Sequence, residues 1–178
     1  CAGHLCEAAC AHFECTGSKK LLDIAVKNVE HIMSVFGPGK RRGYCGHEEL
    51  ETGLFRLSQV TGEAKYRDFA LWMVEERGNR PSCFMEEFDD EEAMAVEAFG
   101  KQMTMKNGEY CGDYCQDHLP IREHTEVVGH AVRAMYLYAG ATQVADGLDD
   151  DKLSEALIRV WDNLTGKRMY LTGGVGPS

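Results

Sequence analysis

The sequence lacks the features that mark membrane-spanning, secreted or nucleic-acid-binding proteins. No run of about 18 apolar residues occurs, so no transmembrane helix is predicted. No basic-then-apolar leader stands at the start, so a signal peptide is not supported and we expect a cytoplasmic protein. Lys and Arg number 19 against 29 Asp and Glu, and the net charge of −10 argues against nucleic acid and anionic membranes as partners.

Sequence motifs of several enzyme classes are also missing. There is no G-x-S-x-G and no serine in a triad-like pattern, which argues against a serine hydrolase. The glycine-rich segment 173–176 is not set between a strand and a helix, so nucleotide binding is rejected. No segment shows a clear strand pattern, and the predicted fold class is all-α.

Cysteine, by contrast, is abundant, with eight in 178 residues. The chain is too long and helix-rich for a small disulfide scaffold, and Cys6, Cys10 and Cys15 fall within one helix and its exit, where pairing is geometrically unfavourable. We therefore expect reduced thiols that mostly pack as small hydrophobic groups. Cys111, Cys115 and His118 have a spacing that zinc sites use, but no fourth ligand is evident nearby.

Apolar periodicity predicts six helices, over 3–16, 18–36, 47–60, 63–77, 122–140 and 151–164. The second is the clearest, and Ser18 is its predicted N-cap. A further helix over 93–105 is possible. We interpret the acidic run 86–97 as a solvated loop or helix entry, and 167–176 as a short strand-like piece leading into a glycine loop.

An internal repeat organises the first half of the chain. Thr16-Gly17 recurs 45 residues later as Thr61-Gly62, and the residues after each pair match at the same spacing: Lys20 with Lys65, Asp23 with Asp68 and Ala25 with Ala70. A period of this length with two helices per unit indicates stacked αα-hairpins. Four hairpins fit in the chain, which predicts part of an (α/α)6 barrel; an open solenoid is the alternative.

A Gly-His pair occurs three times, at His4, His47 and His130. If the hairpins stack in register, the N-terminal ends of their first helices share one rim, although His130 is predicted to lie about two turns inside its helix. Imidazoles there can hydrogen-bond sugar hydroxyls, so these three histidines are the predicted substrate-binding residues. Three separately satisfied histidines remain the alternative. The segment 116–118 could line the same mouth or form an ordinary polar loop.

Five stretches together resemble glycoside hydrolase family 127, the β-L-arabinofuranosidases, in order from Cys1 to Gly176. They are CAGHL at 1–5, GHEELE at 46–51, QDHLPIRE at 116–123, VGHAVRAMYLYAG at 128–140 and KRMYLTGGVG at 167–176. The resemblance implies an (α/α)6 catalytic domain in a retaining, exo-acting enzyme. It also implies that His4, His47 and His130 contact the sugar.

The resemblance further implies a cysteine thiolate nucleophile, held at a zinc ion bound by cysteines and a glutamate, with a carboxylate as general acid and base. In the family these residues follow the Thr-Gly-Gly motif, where this sequence stops. We therefore expect residues 1–178 to be a partial catalytic domain with no catalytic or metal-binding residue. Zinc is expected only in the full-length protein, and the isolated segment is expected to be inactive.

Two other classes of function stay open. One is another α/α-toroid sugar enzyme, such as an unsaturated glucuronyl hydrolase or a sugar epimerase, and the other is a non-catalytic helical-repeat binding scaffold. The expected partner is a carbohydrate, an arabinofuranoside. An incomplete ring would also expose apolar helix faces, which makes a homo-oligomer possible.

Overall fold

The computed structural model describes residues 1–88, 105–107 and 109–176, and within them the chain is helical. The helices are α1 (Ala2–Thr16), α2 (Lys20–Val35), α3 (Leu50–Thr61), α4 (Ala64–Glu76), α5 (Cys83–Phe88), α6 (Ala131–Gly147) and α7 (Asp151–Asn163). Short 3-10 turns lie at Asp113–Cys115 and Ile121–Glu123, a π-helical turn at Leu164–Arg168, and a two-stranded antiparallel pair joins Met105–Lys106 (β1) to Glu109–Tyr110 (β2). No helix in these ranges is both long and apolar enough to cross a bilayer.

The long helices of the described residues form three hairpins, α1–α2, α3–α4 and α6–α7, whose first helices pack side by side. Helix α1 packs on α3, and α3 packs on α6, while α4 also contacts α6. The α1–α3 crossing is close because glycines meet there: a Cβ on Gly53 would lie 2.6 Å from the carbonyl oxygen of Gly3. This row of first helices brings segments distant in sequence to one edge of the molecule.

The 45-residue repeat has a structural counterpart at the hairpin turns. Thr16 and Thr61 each donate their hydroxyl to the carbonyl oxygen four residues earlier at 2.7 Å, and the glycine after each is left-handed, with φ of 69° and 75°. The backbone N–H of Ser18 donates to Thr16 Oγ1. The prediction of Ser18 as N-cap is therefore wrong, because Ser18 belongs to the turn and Lys19 precedes the helix.

Two buried apolar clusters hold the hairpins together. One lies among α1–α4 and includes Cys6, Cys10 and Leu54, and the other joins α6 to α7 through Leu137 and Leu153. All eight cysteines lie within the described residues, and no disulfide joins them. Four of them are buried, namely Cys6, Cys10, Cys83 and Cys115, so the expectation of hydrophobic thiols holds for half the set.

Two predicted elements differ from the structure. Helix α6 begins at Ala131 rather than near residue 122, because Gly129 adopts φ 71°, which an α-helix cannot include. The strand-like piece after residue 167 is instead the end of the π-helical turn followed by a single bridge between Met169 and Val175. The possible helix over 93–105 and most of the acidic run lie outside the described residues, apart from Met105 in β1 and the start of the run in α5.

Candidate functional site: a histidine rim

Two of the three predicted histidines meet on a single tyrosine of helix α6. The ring of Tyr136 lies 5.6 Å from the ring of His4, edge to face, and 5.7 Å from the ring of His47. The hydroxyl of Tyr136 is 3.4 Å from His4 Nε2. Both imidazoles are exposed, so a ligand can reach them.

His4 lies in the first turn of α1 and faces two carboxylates. Its Nδ1 is 2.9 Å from Glu49 Oε1 and 3.2 Å from Glu7 Oε2. Glu49 is only 4% exposed, and burial raises its pKa, against the opposing effect of the His4 backbone N–H. The neighbouring residue must be glycine, because a Cβ on Gly3 would lie 2.4 Å from the backbone carbonyl oxygen of Glu49.

His47 lies in the loop before α3, which begins at Leu50, so the predicted start of this helix at residue 47 is three residues too early. The ring is held by its own chain, since Nδ1 is 2.9 Å from the carbonyl oxygen of Glu48. A hydrogen bond to the next residue leaves the Nε2 edge of the imidazole directed away from the backbone.

His130 is the last residue before α6, and its predicted place two turns inside a helix is wrong. Its ring packs edge to face on Tyr114 at 5.4 Å, and its backbone N–H donates to the carbonyl oxygen of Tyr114 at 3.3 Å. The loop fits so closely that a Cβ on Gly129 would lie 1.9 Å from the carbonyl oxygen of Asp113. Residue 129 is therefore restricted to glycine both by this close contact and by its left-handed backbone.

Arg133 connects the two parts of the site. Its guanidinium lies 4.8 Å above the ring of Tyr114, and its Nη1 is 3.9 Å from the position a Cβ would take on Gly46. We call the whole set the histidine rim: His4, His47, Tyr114, His130, Arg133 and Tyr136. Sequence reasoning missed Arg133 and Tyr136, although the three-residue spacing from His130 places them on one face of a helix.

A buried ionic cluster lies directly behind the rim. Arg77 Nη1 is 3.0 Å from Glu48 Oε1 and its Nη2 is 3.9 Å from Glu51 Oε1, with all three side chains out of solvent. Arg77 also donates to the carbonyl oxygens of Cys115 and Cys45 at 2.8 and 2.7 Å. Burial raises the pKa of Glu48 to about 7, although Arg77 acts in the opposite direction.

Asp117 belongs to the framework and does not line the mouth. Its side chain is fully buried and accepts hydrogen bonds from the hydroxyls of Tyr44, Ser82 and Tyr110, and at 2.7 Å from the backbone N–H of Gly78. Beside it, Gln116 Nε2 donates to the carbonyl oxygen of Val128 at 2.8 Å. His118 stacks on His124 at 4.4 Å. The polar-loop alternative therefore describes 116–118 better than a ligand-contacting role.

Comparison with known proteins identifies the family. The profile of the β-L-arabinofuranosidase GH127 catalytic domain matches residues 1–178. The chain belongs to this family.

Characterised relatives of this GH127 chain are considerably longer. It is 34% identical to the non-reducing end β-L-arabinofuranosidase of Bifidobacterium longum over 176 residues, which are 98% of this chain and 26% of that protein. A GH127 β-L-arabinofuranosidase from Geobacillus stearothermophilus T6 superposes with a TM-score of 0.87 at 40% identity, covering 100% of this chain and 27% of that one. The GH127 β-arabinofuranosidase BT3674 gives 0.77 at 33% identity, covering 98% and 24%. The chain thus spans about a quarter of the relatives it matches.

Within the described residues of this GH127 chain, the donor groups do not fit a zinc ion held by cysteines and a glutamate. Cys115 is buried, and its Sγ lies 3.5 Å from Arg133 Nη1, a cation that would repel a bound metal ion. Across the described part of the chain, the group with ligand atoms close enough for a metal is His4, Glu7 and Glu49, which contains no thiol.

Proposed function

We propose that this chain is the N-terminal to middle part of the catalytic domain of a retaining, exo-acting β-L-arabinofuranosidase. The match of residues 1–178 to the GH127 catalytic domain carries the proposal. The packing of hairpin on hairpin supports an (α/α)6 barrel as the complete fold, of which these helices would be one sector. The substrate is an arabinofuranoside whose terminal sugar is released.

His4, His47 and His130 are the proposed sugar-binding residues, and the rim geometry supports this assignment. Exposed imidazoles and a half-exposed tyrosine offer hydrogen-bonding edges beside apolar ring faces, a combination that suits a furanose with its hydroxyls and carbon skeleton. Arg133, placed over Tyr114, adds a cation beside His130.

The nucleophile, its zinc ion and the general acid and base are proposed to come from chain that follows this sequence in the full-length protein. The chain covers 26% of the Bifidobacterium longum relative and 27% of the Geobacillus stearothermophilus relative, so most of each relative lies outside the matched segment, which supports this division. The 178-residue chain alone is then inactive.

Hydrolysis of a chromogenic β-L-arabinofuranoside by the full-length protein and by residues 1–178 tests the proposal, with zinc content measured on both. We expect activity and zinc only in the full-length protein. His4→Ala and His47→Ala should lower kcat/KM roughly 10- to 100-fold, the effect of losing one or two hydrogen bonds to substrate. His12→Ala and His31→Ala, exposed on α1 and α2, are matched controls. Turnover by the 178-residue chain, or equal effects in all four variants, would contradict the proposal.

A further inference from the structure

The tautomer of His47 is fixed by its backbone contact. Nδ1 is 2.9 Å from the carbonyl oxygen of Glu48, and a carbonyl oxygen can only accept a hydrogen bond. Nδ1 must therefore carry the proton when the ring is neutral. Nε2 then has a lone pair and is an acceptor.

In His4, too, the contacts of Nδ1 place the proton on that nitrogen, but the acceptors are carboxylates. Its Nδ1 hydrogen-bonds Glu7 Oε2 at 3.2 Å and lies 2.9 Å from Glu49 Oε1, and an ionised carboxylate also only accepts. On the other edge, Nε2 lies 3.4 Å from the hydroxyl of Tyr136, a long contact for a hydrogen bond. A hydroxyl from a ligand can replace that weak interaction.

We propose that Glu49 is a positioning residue that holds the proton of His4 on Nδ1, so that the Nε2 atoms of His4 and His47 both accept hydrogen bonds from one ligand. This inference rests on the proposed function for the identity of the ligand as a sugar. It adds Glu49 as a residue that supports the site, and it states that the two Nε2 atoms accept hydrogen bonds from the sugar.

Glu49 suits this role better than Glu7 because its carboxylate is fixed. The side chain of Glu49 is 5% exposed and that of Glu7 is 41% exposed. Oε1 of Glu49 is buried and forms no hydrogen bond among the described residues, and His4 Nδ1, 2.9 Å away, is placed to become its donor. The backbone N–H of Glu49 is itself held by Glu51 Oε2 at 3.0 Å.

Two acceptor nitrogens, on rings that both contact Tyr136, determine which ligands fit this end of the rim. Adjacent hydroxyl groups can donate one hydrogen bond to each Nε2, whereas a carboxylate has no proton to donate and would meet two lone pairs. The arrangement therefore favours a neutral polyhydroxylated sugar over a uronate.

Long-range ¹H–¹⁵N correlation spectra of the full chain, recorded where both rings are neutral, report which ring nitrogen carries the proton. We expect His4 and His47 to show protonated Nδ1 and unprotonated Nε2. In Glu49→Ala the proton of His4 should move mainly to Nε2, while His47 is unchanged. Glu49→Gln keeps an acceptor oxygen and should retain the Nδ1 proton, and Glu7→Ala is the matched control that should leave it in place.

The proposal is overturned if wild-type His4 is protonated on Nε2, if Glu49→Ala leaves its tautomer unchanged, or if Zn²⁺ binds stoichiometrically at His4 and Glu49 and displaces the proton. The wild-type spectrum alone decides the first point even if Glu49→Ala fails to fold. Titrations with methyl β-L-arabinofuranoside and with a uronate test ligand binding, independently of the tautomer measurement. Unchanged His4 and His47 signals in the arabinofuranoside titration would refute the sugar-binding function while leaving the tautomer assignment standing.

Discussion

Arg77 and Glu48 form an ion pair, with 3.0 Å between Nη1 and Oε1, in which neither side chain is more than 1% exposed. Arg77 also donates to two backbone carbonyls, at Cys45 and Cys115, so it joins the loop before α3 to the loop before α6. Those two loops carry His47 and the Tyr114 contact of His130. The pair therefore links the buried framework to the position of the rim.

Arg77→Met should destabilise the protein by about 3–5 kcal/mol, because two buried carboxylates lose their counter-charge. Urea unfolding followed by circular dichroism measures the change. Arg67→Met is the matched control: its partner Asp68 is exposed, so the cost should stay below about 1 kcal/mol. Equal losses of stability would show that the buried charges are compensated in some other way.

Asp117→Ala should cost about 3 kcal/mol or more, since it leaves the donors of Tyr44, Gly78, Ser82 and Tyr110 without their acceptor. Thermal unfolding by calorimetry is the measurement. Asp113→Ala, in the neighbouring 3-10 turn, removes a carboxylate of the same size and should be nearly neutral. If Asp117→Ala instead lowered ligand affinity without lowering stability, Asp117 would be a ligand-contacting residue and not part of the framework.

The pH dependence of stability should depend on His124, a buried histidine between the 116–123 loop and α6. Its Nε2–H donates to the carbonyl oxygen of Leu119 at 2.8 Å, and its Nδ1 accepts from the hydroxyl of Tyr138 at 3.1 Å. Burial, with the neighbouring His118 and Arg77, lowers the pKa of His124 to about 4. Between that value and the unfolded value of 6.5 the unfolded chain binds more protons, so stability rises with pH.

His124 should therefore make its full contribution to the free energy of unfolding above pH 6.5. This contribution, roughly 3 kcal/mol, should be lost as the pH falls towards 4. Glu48, with its pKa raised to about 7, acts in the opposite direction over an overlapping range and would flatten the wild-type profile. The stability difference between wild type and His124→Gln isolates the histidine and should grow with pH. A difference independent of pH would contradict the prediction, and His31→Gln on the exposed surface is the control.

An apolar groove between α6 and α7 should make the 178-residue chain self-associate. The groove has a volume of about 550 Å³ and is lined by residues such as Met135 and Leu157, with Ile158 and Trp161 59% and 61% exposed beside it. Sedimentation velocity should show concentration-dependent dimers or larger species. Ile158→Lys should shift the chain towards monomer, whereas Ile24→Lys, on a similarly exposed isoleucine of α2, should not. A monomer at all concentrations would contradict this prediction.

Local patterns were enough to predict the hairpins. The helical period of α2 and the repeated Thr-Gly breaks are properties of neighbouring residues, and the turns at Thr16 and Thr61 form the same hydrogen bonds. The start of α6 was missed because its determinant is remote: Gly129 is left-handed where its backbone passes the carbonyl oxygen of Asp113.

The candidate site was only partly predictable for the same reason. Three Gly-His pairs indicated the histidines, and the spacing of Arg133 and Tyr136 from His130 would have added two residues of one helix face. The role of Glu49 depends on how α1 crosses α3, where Gly3 leaves room for its carboxylate. No pattern within either segment shows that contact.

Tyr136 gives the last test, because one ring serves two histidines. Tyr136→Phe keeps the ring between His4 and His47 and loses only the 3.4 Å hydroxyl contact, so arabinofuranoside affinity of the full-length protein should change by less than about 1 kcal/mol. Tyr136→Ala removes the ring that both imidazoles contact and should raise KM about tenfold or more, since each imidazole loses one of the contacts that orient it. Tyr170→Ala, on an exposed tyrosine of the C-terminal turn, is the control. Equal KM values in Tyr136→Phe and Tyr136→Ala would mean that the shared ring does not organise the sugar site.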